Sequence, residues 1–200
     1  MKIKLIVAFI VFMVLLVNSR SDAQDVVINE IFYDSDGSDR GCFVERFGKP
    51  NLKLNDYKLI GVNGDKGQAY GEIKLSGHTI PPDGFFVVAQ DKNVLNADMI
   101  DLSADYQNGP DNIELWYMDK KVDSVGYGDF ANAVYTGEGT PTLDLLGYSI
   151  GRRKDGFDSN DNSVDFVGLA VLSPGRSNWP GVSVERKEKL ALVWGFIKKN

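Results

Sequence analysis

Between residues 26 and 153 short apolar runs alternate with polar segments rich in Gly, Asn and Asp. The first two runs, 26–33 (VVINEIFY) and 42–47 (CFVERF), are dense in residues that suit a pleated, half-buried surface. They flank the acidic loop 34–41, whose Asp, Ser and Gly are turn formers. Further strands are expected at 57–62, 68–75 and 85–90; the last, FFVVAQ, reads as fully buried. Asn63-Gly64 marks a turn, and Pro81-Pro82 forbid a central strand within 76–84. Residues 112–118 and 121–127 predict a hairpin turning at Asp119-Lys120, with Ile113, Leu115 and Tyr117 on one face. The stretch 92–105 is ambiguous, with one helical turn expected near 93–97. A long loop covers 126–146, and a last strand covers 148–153. An Asp/Asn-rich run (154–165) and a closing turn (173–176) follow. Short strands, turn signals roughly every ten residues and almost no helix predict an all-β sandwich or barrel.

The two ends break this pattern. Lys2 and Lys4 precede an uncharged apolar stretch, 5–17, and Ser21 and Ala23 are the small residues of a cleavage site. This is the layout of a secretory signal peptide over 1–23, too short in its apolar part to span a bilayer. The expected mature protein is secreted or held in the cell envelope, with one domain at 24–178 and a tail at 179–200. In the tail, Leu190, Val193, Trp194 and Ile197 form one stripe on a helix; a strand there would be apolar on both faces. Leu190, Trp194 and Ile197 are expected partner contacts, made with the sandwich, another protein or peripherally with a membrane surface.

Charge narrows the partner classes. The chain has 22 basic and 28 acidic residues. Without residues 1–23 it loses three cations and one anion, leaving 19 basic against 27 acidic and a net charge of −8. That balance disfavours phosphate neutralisation and hence a nucleic-acid partner. The single cysteine, Cys42, has no intramolecular disulfide partner and is expected to be a buried thiol.

Candidate chemistry rests on carboxylates. The only histidine, His78, sits in a Gly-His-Thr turn, and no serine has a nucleophile-elbow context. One His and one Cys do not make an ordinary zinc site. Glu30 and Glu45 each interrupt an apolar strand; they read as internal fasteners or as an acid pair of glycosidase type. Calcium is the one cofactor with a candidate ligand set, Asp155, Asp158, Asn160, Asn162 and Asp165, with Asp34, Asp36 and Asp39 a second acidic loop. The first set departs from the helix-loop-helix calcium motif at Ser163 and Leu169, and Asx-turns explain such runs equally well.

Five pieces in order, VVINEIFYDSDGSDRGCFVERF, LNDYKLIGVNG, IPPDGFFVVAQ, QNGPDNIELWYMDKKVDSVGYG and SIGRRKDGFDSNDNSVDFVGLAVLSPGRSN, resemble the lamin-tail domain family over residues 25–178. The resemblance implies an immunoglobulin-like β-sandwich and an interaction or targeting module without agreed catalytic residues. Arg46 departs from the family's usual apolar residue and Cys42 from a position more often acidic. The expected function is a secreted, non-catalytic module that binds a protein or envelope component, with no cofactor. The alternatives are a hydrolase-type enzyme using the acidic loops and a calcium-dependent adhesion module.

Overall fold

The computed structural model describes residues 26–35, 37, 40–178 and 183–184. The expected signal peptide, the loop carboxylates Asp36 and Asp39, and the tail contacts Leu190, Trp194 and Ile197 lie outside the described residues. Two sheets carry nearly all the regular structure, as an all-β chain requires. The larger sheet holds β1 (Val26–Phe32), β2 (Phe43–Gly48), β5 (Phe85–Ala89), β6 (Met99–Ile100), β9 (Ser149–Arg152), β10 (Phe166–Leu169) and β11 (Ser183–Val184). Their order is β11-β10-β9-β1-β2-β5-β6. The smaller, antiparallel sheet contains β3 (Tyr57–Asn63), β4 (Ala69–Lys74), β7 (Asp111–Tyr117) and β8 (Lys120–Tyr127), in the order β4-β3-β7-β8.

Side chains from both sheets meet in one apolar core. Ile28, Ile31, Val44, Phe86, Val88 and Ile150 face it from the larger sheet, and Leu59, Ile73, Ile113, Leu115 and Val125 from the smaller. Because side chains alternate along a strand, Phe32, Phe43, Val87 and Ala89 fall on the other face of the larger sheet. There they form a second, smaller apolar cluster with Val94, Ala97 and Leu172. This explains why every residue of β1 and β5 is buried: both faces of the sheet are covered.

Three local expectations are corrected. The hairpin turns at Met118-Asp119 rather than Asp119-Lys120, because Tyr117 pairs with Lys120 and Met118 takes a positive φ of 52°. No helical turn forms near 93–97; the helical turn comes later, as a 3-10 segment at Leu102–Ala104 capped by Asp101. The Asp/Asn-rich run contains one helical turn, Asn162–Asp165, which feeds directly into β10, a strand the apolar pattern did not suggest.

Arg46 follows the strand alternation onto the core side. It is 0% exposed, its guanidinium lies 4.7 Å from the Phe86 ring centre, and among the described residues its one acceptor is Phe86 O at 3.4 Å. Nε and Nη1 meet no acceptor among the described residues, and burial pushes the group down to about 9. A buried cation without a close counter-charge is costly. Arg46→Met should therefore raise the unfolding free energy by about 1–3 kcal/mol. Urea unfolding checks this, and a loss of stability would overturn it.

Candidate functional site

The first cluster of charge lies under the closing loop of the sandwich. Glu30 and Glu45 are direct cross-strand partners on β1 and β2, and both are fully buried. A bulge in β1, where two residues oppose one between Ile28 and Glu30, leaves Asn29 outside the ladder. Asn29 uses this freedom to donate to Glu45 Oε1 at 2.9 Å and to Asp155 Oδ1 at 3.1 Å, while accepting from Gly156 N at 3.2 Å. Glu30 accepts from Ser149 Oγ at 2.5 Å and from Ser173 Oγ at 2.6 Å, and Ser173 N approaches both its oxygens at 3.2 Å. Glu45 Oε2 accepts from Gly175 N at 2.7 Å. Asp155 accepts from Asn178 N at 3.1 Å and from Ser177 Oγ. Three carboxylates thus tie the segment 173–178 across the outer face of the large sheet. Burial is the main cause of the raised pKa of both glutamates, and Glu45 is pushed up to about 8, with the neighbouring Glu30 adding to it.

The second cluster centres on Arg152 of β9, which is 0% exposed. Its Nε donates to Ile28 O at 2.7 Å and Nη1 to Phe157 O at 2.7 Å. Nη1 also reaches Asp165 Oδ2 at 3.2 Å and Asp158 Oδ1 at 3.4 Å, while Nη2 reaches both oxygens of Asp123 at 3.0 and 3.1 Å. The guanidinium plane lies over the Phe166 ring, 4.7 Å from its centre. Asp123 belongs to β8, so this ion pair bridges the two sheets.

The structure distributes the expected calcium ligands among different tasks. Asp155 holds the closing segment, and Asp158 and Asp165 face Arg152. Asn162 Oδ1 accepts from Gly126 N, Glu138 N and the Tyr135 hydroxyl at 2.9–3.0 Å, and its Nδ2 donates to Ser124 O at 2.9 Å. Asn160 is exposed at a positive φ of 60°, with its N–H on Asp158 Oδ1. A different set does converge: carboxylate oxygens of Asp123, Glu138 and Asp158 lie within 4.8 Å of one another. The sequence reading missed Asp123 and Glu138, which stand apart from any acidic run. Burial, reinforced by the charges of Asp123 and Asp158, pushes Glu138 up to about 8, so at neutral pH a proton relieves the repulsion. Arg152 supplies the positive charge already. Added calcium should therefore leave the melting temperature unchanged within error; a rise of several degrees, removed by chelator, would instead assign a bound cation here.

Cys42 is buried, and its thiol donates to Tyr33 O with Sγ 3.4 Å away. His78 packs its ring edge-on against Phe86 at 5.3 Å and is half-buried.

An apolar cleft of about 420 Å³ lies at the end of the large sheet where β1 ends and β2 begins. Phe32 and Phe43 contribute from the sheet, Val94 and Leu95 from one loop, and Leu172 and Pro174 from the closing segment. The two loops are joined by Asn96 Nδ2, which donates to Pro174 O at 2.9 Å. They also pack closely at Gly175, where a Cβ would lie 2.5 Å from that of Asn96. Leu95 is 77% exposed at the lip. This volume lies within the range of small-ligand sites. Sequence reading missed the cleft because its lining comes from four separate segments.

Compared with protein-family models, with curated proteins and with solved structures, the chain matches none of them.

Proposed function

We propose that this protein is a secreted, non-catalytic binding module of lamin-tail type, an immunoglobulin-like sandwich that engages a protein or cell-envelope component through the cleft between loops 93–96 and 172–176. The observation that carries this reading is an apolar cleft with an exposed leucine at its lip, walled by loops that the fold holds in place. The carboxylates that suggested hydrolytic chemistry support it indirectly. Glu30 and Glu45 are enclosed and spend their oxygens on Ser149, Ser173, Asn29 and Gly175. Photo-crosslinking tests the reading: a crosslinking side chain at position 95 should capture a component of the native envelope fraction. The same group at position 120, on β8, should not. Equal capture from both positions, or none from position 95, would sink the assignment of the cleft.

A further inference from the structure

Taking the cleft as a binding site, we propose that its ligand is a small amphipathic anion, with one aliphatic chain or ring system in the cleft and a carboxylate or equivalent acidic group at the mouth. The charges at the cleft carry this step. The chain has more acidic than basic residues, 28 against 22, yet among the described residues the cleft lining contains no Asp or Glu and two arginines, Arg40 and Arg176. Among the described residues neither arginine makes an ion pair within 4.0 Å. The Arg176 side chain is set in place by Nη2 donating to Leu172 O at 3.1 Å; its charge also acts on the buried Glu30, but among the described residues its Nε and Nη1 make no hydrogen bond and face a ligand.

A guanidinium presents a rigid fork that matches a carboxylate or phosphate, and next to an apolar wall that pairing is stronger than in open water. Asn93 and Asn96 add amide groups to the lining, while the body of the site is Phe32, Phe43 and Leu172. An apolar cation would meet two like charges. A neutral apolar molecule would fill the cleft but leave the guanidinium groups unused. The chemistry therefore selects for an acidic head as well as an apolar body.

Calorimetric titration of the purified protein with decanoate, decyl phosphate, decanol and decyltrimethylammonium, all below their micelle concentrations, tests this. Decanoate or decyl phosphate is expected to bind saturably, and the tighter of the two identifies the head group. Decanol should bind at least about tenfold more weakly, and the cation should not bind. The double variant Arg40→Gln/Arg176→Gln should retain the melting temperature, since neither side chain is buried, and lower the affinity for the anion to that for decanol. Equal binding of decanoate and decanol, or affinity unchanged in the double variant, would overturn the acidic-head assignment. Failure of all four probes, with position-specific crosslinking from residue 95 retained, would remove this ligand class and leave the binding-module reading standing. Failure of both would remove both.

Discussion

Replacing Arg152 with alanine is expected to cost about 3–5 kcal/mol of folding stability. The reason is what stays behind. Asp123 and Asp165 are 0% and 1% exposed, and without the guanidinium both must ionise unpaired in the interior or take up protons. The carbonyls of Ile28 and Phe157 lose their 2.7 Å donors in the same step. Arg152→Met should be nearly as damaging, because matching the side-chain volume does nothing for the carboxylates. Arg152→Lys should recover only part, since one ammonium cannot reproduce a guanidinium whose Nη2 contacts both Asp123 oxygens while its Nε holds Ile28 O. Urea unfolding followed by tryptophan fluorescence measures all three. A loss below about 1 kcal/mol for the alanine variant would show that the network does not hold the sheets together. The contrast with Arg46→Met is part of the prediction. Both arginines are fully buried, but among the described residues only Arg152 is in ion-pair contact with buried carboxylates.

Stability should fall as pH rises from about 5 to about 8, the reverse of a protein held by exposed ion pairs. Glu45 carries its proton up to about pH 8 in the folded state and only to about 4.5 when unfolded, so across that window the folded chain holds a proton that unfolding releases. Proton release on unfolding means the unfolded state gains as pH increases, with a slope of about 1.4 kcal/mol per pH unit for one such group. Glu30 shifts in the same direction for the same reason, burial, which its serine donors and Arg176 only partly oppose. Glu45→Gln removes one of these protons and should flatten the profile. At pH 5 the variant should be less stable than the natural protein by about 1 kcal/mol, because an amide nitrogen replaces one of two accepting oxygens. At pH 8 that difference should shrink or change sign. Urea midpoints at several pH values decide it, and identical slopes for the two proteins would rule out Glu45 as the titrating group.

Most strands were legible because their signal is local. In β3, β7 and β8 period-two patterning and turn residues mark the segments within a residue or so. β10 was not legible: FVGL is four residues long and follows an Asp/Asn-rich run that looks like open loop. It becomes a strand only because β9 offers it a ladder from Arg152 to Ser149. The turn at Met118 shifted by a residue because a bulge between Leu115 and Trp116 adjusts the pairing of β7 with β8, which the sequence does not mark.

Of the candidate site residues, Glu30 and Glu45 stood out as carboxylates in apolar strands, and that anomaly pointed to a buried hydrogen-bonded pair. The same reasoning was available for Arg152, an arginine inside the strand SIGR, but its counter-charges lie 29 and 13 residues away along the chain. The Asp/Asn run read as a calcium loop or a set of Asx-turns, and Asp158 and Asp161 do cap the backbone at Asn160 and Ser163.

The sequence by itself determined that this is an all-β chain, where most of its strands lie, and that its interior carboxylates need partners, since each follows from residue type and spacing. Only the tertiary structure decided which groups those partners are. It also decided that Asp123 from one sheet meets Arg152 from the other, and that Phe32, Phe43, Leu95 and Leu172 line a cleft together with two arginines. These are contacts between segments tens of residues apart. They depend on register and layer packing, and local propensity carries no information about either.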